Sequence, residues 1–188
     1  MDLALSVLEM AFARASYYIT LHSAAHTNLF ADNTPLSFAN VMADSILLTS
    51  PLDYEVALLE LHIEKLRTLA EGTLLVECSI VERRHIGDVH ARVIRMLHLA
   101  PTTFAPDDKG RMMMVRAEHR SYQFDAPQYH PLDLFVANPL YDVRLTLTFL
   151  DEPLEITASE VFATLHVRRR ADAPPFTQGV KIPSVVER

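Results

Sequence analysis

The residues of this sequence best suited to chemistry are nine histidines and a single cysteine. Three potential metal ligands, His85, Asp88 and His90, lie in the segment RRHIGDVH, where a hairpin connection would bring them together. A surface loop explains the same residues, because a turn without a nearby cysteine holds a metal poorly. An iron or zinc enzyme of the cupin type would need a His-x-His motif, and none occurs in the chain. We therefore predict no metal site.

The cysteine is predicted to be structural. Cys78 lies in the apolar run TLLVECSIV, which indicates a buried thiol, whereas a nucleophilic thiol needs an electropositive and partly exposed setting. A lone cysteine also excludes an intrachain disulfide. The chain has no Gly-x-Ser-x-Gly motif, and its four glycines are too few for a phosphate-binding loop. The sequence thus predicts no catalytic residue and no cofactor, and we do not expect an enzyme.

Charge is distributed unevenly along the chain. The 17 Lys and Arg against 24 Asp and Glu give a net charge of −7, which argues against specific nucleic-acid recognition. The first 60 residues are acidic, whereas the end of the chain carries the triplet Arg168, Arg169 and Arg170. This triplet could meet a phosphate or an acidic neighbour, or it could be a solvated strand end.

The elements that must position these residues read as strands. The run DVRLTLTF alternates Val143, Leu145, Leu147 and Phe149 with polar residues, which is typical of a strand with one core face and one wet face. The run VFATLHVRR alternates as well, and its predicted core positions are Val161, Ala163, Leu165 and Val167. Segments rich in Pro, Asp, Asn and Gly separate the runs, as a β-sandwich or barrel requires. Nine runs are predicted as strands: ASYYITLH, LSFANVMADSILL, YEVALLELHI, TLLVECSIV, RVIRMLHL, MMMVRAEHRSYQF, LDLFVAN, VRLTLTFL and EVFATLHVRR. The fold class is therefore all-β.

The run YEVALLELHI is locally ambiguous. Its leucines, glutamates and alanine are good helix formers, yet with a period of two it is apolar on both faces at its centre. The surrounding strands favour a strand covered on both faces, with Glu55 and Glu60 near its ends, able to meet solvent or a basic partner. A short helical turn is possible in the following EKLRTLAEG.

The two ends of the chain differ from its middle. Residues 1–13 are predicted to form an N-terminal arm or short helix, without the positive n-region of a secretory signal. No run reaches the ~18 apolar residues of a membrane-spanning helix. After residue 170 the pattern dissolves into the proline-rich segment ADAPPFTQGVKIPSVVER, which we interpret as an extended arm. The expected organisation is one domain, residues 1–170, followed by the arm, residues 171–188.

Several blocks, in conserved order from about Ser16 to Arg170, resemble the minor capsid (penton) proteins of Polinton or Maverick elements and related double-jelly-roll DNA viruses. The blocks are SYYITLHSAAHTNLFADNTPLSFANVMADSILLTSPLDYEVALLELHI, LLVECSIVERRHIGDVHARVIRML and YHPLDLFVANPLYDVRLTLTFLDEPLEITASEVFATLHVRR.

The resemblance implies a single jelly-roll β-sandwich of two four-stranded antiparallel sheets. It implies a homopentamer at the vertices of an icosahedral capsid, beside a major capsid protein of the double-jelly-roll type, with the protein made and assembled inside the host cell and located in the virion. Two alternatives stay open: a capsid cement or attachment protein on the same fold, and a small β-barrel ligand-binding protein or metal-dependent enzyme.

Assembly needs contacts beyond the core of the sandwich. The C-terminal arm carries apolar anchors such as Phe176 and Ile182, and we expect it to order on a neighbouring subunit or on the capsid interior. Arg168, Arg169 and Arg170 are then placed to meet the acidic first third of a partner chain. These five residues are the predicted assembly contacts.

Overall fold

The computed structural model describes residues 16–48, 50–68, 72–99, 104–106, 109–110, 112–114, 118–150 and 156–171. The predicted N-terminal arm or short helix, and the C-terminal arm beyond residue 171, lie outside them. Within them the fold is nearly all β, as predicted, with one short 3-10 turn at Pro51–Asp53 and no α-helix. The strands are β1 (Ser16–His22), β2 (Ser37–Ile46), β3 (Tyr54–Thr68), β4 (Gly72–Cys78), β5 (Arg84–Ile86), β6 (Val89–Ala91), β7 (Val93–Leu99), β8 (Phe104–Pro106), β9 (Met112–Met114), β10 (Glu118–Gln123), β11 (His130–Pro131), β12 (Leu140–Phe149), β13 (Ile156–Thr157) and β14 (Glu160–Arg169).

Two antiparallel sheets carry most of the fold. The larger sheet has the order β1-β14-β3-β10, and the smaller has the order β2-β12-β4-β7. Inward-facing side chains of both sheets form one buried cluster, which is consistent with a β-sandwich. The alternation predicted for the last two long strands is confirmed, because the predicted core positions are buried: Val143, Leu145, Leu147, Val161, Ala163, Leu165 and Val167. Phe149, at the end of β12, is partly buried against the same cluster.

The sheet count differs from the two four-stranded sheets expected. The larger sheet has six strands, and the hairpins β5–β6 and β8–β9 form two further two-stranded sheets. The two extra strands of the larger sheet, β11 and β13, follow from the length of β3, whose 15 residues exceed the six of β10 and the ten of β14. β11 pairs with Glu55 and Val56 beyond the end of β10, and β13 pairs with Arg67 and Thr68 beyond the end of β14. These short strands satisfy backbone groups that β3 would otherwise leave unpaired.

β3 is a bulged strand, which explains its ambiguous sequence. Its ladder with β14 pairs Leu58 with Leu165 and then Glu60 with Thr164, so Leu59 is an extra residue without a partner on β14. A one-residue bulge shifts the side-chain alternation by one position. The buried positions therefore run Tyr54, Val56, Leu58 and then Leu61, Ile63, while Glu60 and His62 stay exposed.

The helical turn that the sequence allowed after Ile63 is not formed in residues 64–68, which begin the segment EKLRTLAEG and which the structure describes. β3 continues as a strand to Thr68, with a second irregularity at Lys65, which has a φ of 49°. The ladder with β10 shifts register in the same region, between the pairs of Ile63 and Leu66. Leu66 is buried again after this shift. Two shifts in the side-chain alternation thus let one long strand keep its apolar residues on the core side.

Candidate assembly surface

Arg168, a predicted assembly contact, is engaged within its own chain. Its Nε atom lies 2.7 Å from Oε1 of Glu55, which is its register partner on β3. The guanidinium group also lies over the Tyr129 ring, 3.4 Å from the ring centroid. Glu55 thus meets a basic partner, as the sequence suggested, and this partner belongs to the same molecule.

Arg169 and Arg170 lie beside the start of the same strand. The Arg169 guanidinium is 3.9 Å from the Asp53 carboxylate, and the backbone N–H of Arg170 donates to the Asp53 carbonyl at 2.8 Å. The basic triplet therefore packs against acidic residues of the first third of its own chain. A contact between this triplet and the acidic residues of a partner chain stays a prediction. Phe176 and Ile182 lie outside the described residues.

An aromatic cluster extends from Arg168 along the outer face of the larger sheet. The Tyr18 and His166 rings are stacked with centroids 4.6 Å apart, and the Tyr129 hydroxyl lies 2.7 Å from His166 Nδ1. Partial burial, with the nearby positive charge of Arg168, lowers the pKa of His166. The imidazole is therefore held neutral near pH 7, and Nδ1 can accept the tyrosine hydrogen bond.

His130 is a second histidine held neutral by its surroundings, and it makes stability depend on pH. Burial, and then the Arg84 guanidinium, lowers its pKa, while Nε2 lies 3.0 Å from the Ile94 carbonyl oxygen. Because the unfolded histidine titrates near pH 6.5, the unfolded state binds more protons below that pH. The stabilisation is complete above about pH 6.5 and is lost as the pH falls towards the lower folded-state pKa.

We expect the free energy of unfolding, measured by urea titration, to decrease from about pH 7.5 to about pH 5.5, by at most about 1.4 kcal/mol per pH unit from this group. His130→Gln keeps a side-chain donor for the Ile94 carbonyl and does not titrate, so its pH profile should be flatter. Identical profiles for the wild type and this variant would contradict the assignment.

Residues 132–138 form a loop, although the run LDLFVAN was predicted to be a strand. Only Leu132 makes a bridge, to Val81. At Asp133 the chain turns, because Oδ1 accepts the N–H of Phe135 at 2.9 Å and the carbonyl accepts the N–H of Val136 at 3.1 Å. An aspartate that bonds the backbone two residues later favours a turn over a strand. This signal was present in the sequence.

The 132–138 loop is firmly anchored at both ends. Asp133 is buried, and its Oδ2 lies 2.6 Å from Nη1 of Arg92, which also donates to the carbonyls of Ser79 and Val81 at 2.9 Å each. At the other end, the Asn138 side chain accepts the N–H of Leu48 at 3.0 Å and donates to the Leu48 carbonyl at 2.6 Å. Side-chain hydrogen bonds and an ion pair therefore fix both ends of the loop to the sandwich.

This anchored loop presents apolar side chains to solvent. Leu134 is 56% exposed and Phe135 is 88% exposed, and Tyr141 follows on β12 with more than half of its surface accessible. Large exposed apolar groups on a rigid base are typical of protein contact sites. Sequence reasoning missed this surface, because Leu134 and Phe135 were assigned to a strand.

A groove runs between β1 and β2, the edge strands of the two sheets. It has a volume of about 600 Å³, and its lining runs from Ser16 to Leu21 and from Asn40 to Ile46. Ile19, Leu21 and Ile46 are buried at its floor, whereas Asp44 is exposed at its rim. The groove is thus apolar inside and acidic at one edge.

The residues considered for metal binding lie on the β5–β6 hairpin. His85 pairs with His90, and their rings are stacked with centroids 4.6 Å apart. Asp88 sits in the connecting turn, and all three side chains are exposed. In the part of the chain that the structure describes, no three His, Cys, Asp or Glu side chains are grouped so that they could hold a metal ion.

Cys78 is buried, as predicted. Burial raises the pKa of its thiol to about 12, so the thiolate that a nucleophile requires is scarce at neutral pH. The side chain belongs to the main apolar core cluster, where it packs as a small hydrophobic group. The position of Cys78 in the core therefore indicates a structural role for this thiol.

Within the described residues, no helix is long and apolar enough to span a membrane. A scan against protein-family models and a search of curated protein sequences find no match to the chain.

Proposed function

We propose that this chain is a structural virion protein, a penton-type minor capsid protein whose single jelly-roll domain forms pentamers at the vertices of an icosahedral capsid. It has no catalytic role in this proposal. Its partners are further copies of itself and a major capsid protein of the double-jelly-roll type. The proposal combines the strand order of the sandwich with the block-by-block resemblance described above.

The order of strand pairing is the observation that carries the jelly-roll assignment. Of the eight long strands in the described part of the chain, the first pairs with the last, β1 with β14, and the second with the second to last, β2 with β12. The series continues inward as β3 with β10 and β4 with β7. Successive pairs alternate between the two sheets, which is the pattern of an antiparallel ribbon wrapped around a sandwich as two Greek keys.

A jelly roll hosts many functions, so the surface has to support the assembly role. The anchored 132–138 loop supplies exposed Leu134 and Phe135 for contact with a different surface of a neighbouring copy. A head-to-tail contact between two different surfaces closes into a ring when the rotation allows it. Five copies would weigh about 106 kDa, from a chain mass of 21.2 kDa.

The oligomeric state of the purified full chain tests this proposal. We expect light scattering during size-exclusion chromatography to give the mass of five copies, and negative-stain images to show five-fold rings. The variant Phe135→Ser should unfold like the wild type, because its side chain is almost fully exposed, and should shift the mass towards the monomer. A wild-type chain that stays monomeric at high concentration, without entering particles on coexpression with a double-jelly-roll major capsid protein, would refute the penton role.

A further inference from the structure

The β1–β2 groove is flanked by two sheet edges that lack partners among the described residues. β1 pairs only with β14 and β2 only with β12, so each strand ends its sheet. An unpaired edge presents backbone N–H and C=O groups that accept an added strand. The groove therefore offers backbone hydrogen bonds beside an apolar floor.

The Asn40 side chain reveals which backbone groups face the groove. Its Oδ1 accepts the N–H of His22 and its Nδ2 donates to the His22 carbonyl, so the amide acts as one residue of an added strand. In an antiparallel ladder, every second residue points its backbone groups to the same side. Tyr18 and Thr20 therefore direct their N–H and C=O groups towards the groove, as His22 does.

β2 pairs irregularly with β12 along the groove. Between Val41 and Ile46 the strand β2 advances five residues, while β12 advances only two, from Asp142 to Leu140. The additional residues of β2 therefore have no regular partner on β12. The hydrogen bonds between the Asn40 amide and the His22 backbone close one end of the groove, and the other end is open beside Ser16.

We propose that the groove receives residues 180–186 of a second copy of this chain, VKIPSVV, as a strand added to the edge of β1. The segment is rich in the β-branched valine and isoleucine that strands favour, and its Ile182 would lie over the floor formed by Ile19 and Ile46. A proline such as Pro183 is tolerated on an edge strand when its nitrogen points away from the ladder. Lys181 matches the exposed Asp44 at the rim.

The place where the chain leaves the sandwich supports a second copy as the occupant. β14 ends beside the start of β1, since Arg168 pairs with Ser16, so the C-terminal segment begins at the open end of the groove. Residues 172–179, extended at ~3.1 Å each, span ~25 Å, which exceeds the ~19 Å width of a four-stranded sheet. Pro174 and Pro175 favour this extended form over a tight reversal into the groove of the same molecule. The inference rests on the proposed ring of copies.

Disulfide trapping between two full-length variants tests this inference. One variant carries Ser45→Cys at the groove, and the other carries Ile182→Cys together with a mass tag. Cys78 is buried and stays in place. After mixing and mild oxidation, we expect a covalent species that contains one chain of each kind. The matched control replaces Ser45→Cys with Thr148→Cys, an exposed position on β12 that pairs with Leu75 of β4 and does not line the groove. This control should give no such species.

Three outcomes are distinguishable. Trapping with Ser45→Cys, together with an association about 30-fold weaker in Ile182→Asp, supports the inference. Five-fold rings without trapping above the Thr148→Cys control overturn it and leave the penton proposal standing. In the third outcome, the double variant Ser45→Cys with Ile182→Cys stays monomeric and forms only an intrachain disulfide. This result overturns the second copy as the occupant and counts against the ring as well.

Discussion

Deleting Leu59 is expected to leave cooperative folding intact, although the deletion shortens a central strand by one residue. Leu59 is the extra residue of the β3 bulge, and without it the ladder with β14 would run without a shift. The remaining side chains would then alternate regularly, so that Leu58, Leu61 and Ile63 stay on the core side while Glu60 and His62 stay outside. The expected cost is about 1 to 2 kcal/mol, for the lost partly buried side chain and the lost hydrogen bond from the Phe124 N–H to the Leu59 carbonyl.

The measurement is chemical unfolding followed by near-UV circular dichroism and tyrosine fluorescence. The deletion variant should keep a single cooperative transition and lose about 1 to 2 kcal/mol, and Leu59→Ala, which keeps the bulge, should lose about 1 kcal/mol. The two variants remove similar side-chain surface and differ in whether the bulge is present. A deletion variant without a cooperative transition would show that the bulge does more than correct the side-chain alternation of β3.

Replacing Asp133 by alanine is expected to lower the free energy of unfolding by about 3 kcal/mol. The change leaves the Arg92 guanidinium without its carboxylate partner in a largely buried position. The loss is at the low end for a buried pair, because Arg92 keeps its hydrogen bonds to the carbonyls of Ser79 and Val81. Asp133→Asn should fall between the wild type and alanine, since an amide oxygen can still accept the N–H of Phe135.

A second carboxylate–arginine pair provides the control. Arg144 lies 2.9 Å from Asp32, a similar distance, but the Asp32 side chain is well exposed. Asp32→Ala should therefore change stability much less than Asp133→Ala, because water screens and replaces the exposed pair. Chymotrypsin adds an independent readout, since the released loop of Asp133→Ala should be cut faster after Phe135. Equal effects of the two alanine variants would show that the loop anchor contributes little.

The elements that could be predicted from the sequence are those with a regular period. β14 matches its predicted run, Glu160–Arg169, residue for residue, and its inward-facing valines and leucine are buried as the alternation indicated. A period of two can be recognised locally, because each residue of a straight strand points opposite to its neighbour. The same rule failed where the period breaks, at the β3 bulge and at the turn that begins with Asp133.

The candidate surface was only partly accessible from the sequence. The basic triplet Arg168–Arg170 could be identified as a charged group, but its ion pairs with Glu55 and Asp53 join segments more than 100 residues apart. Nothing local indicates that β14 lies beside β3, because that neighbour relation follows from how the whole ribbon of strands wraps. The groove between β1 and β2 likewise exists only because two sheet edges meet.

The amino-acid sequence by itself determined the all-β class, the burial of Cys78 and the inward faces of the regular strands, since each depends on side chains within a few residues. The tertiary structure alone decided the bulge at Leu59, the anchored display of Phe135 and the in-chain partners of Arg168. These features depend on pairings between distant segments, and the favourable free energy of such a pairing is gained only when both segments are in place.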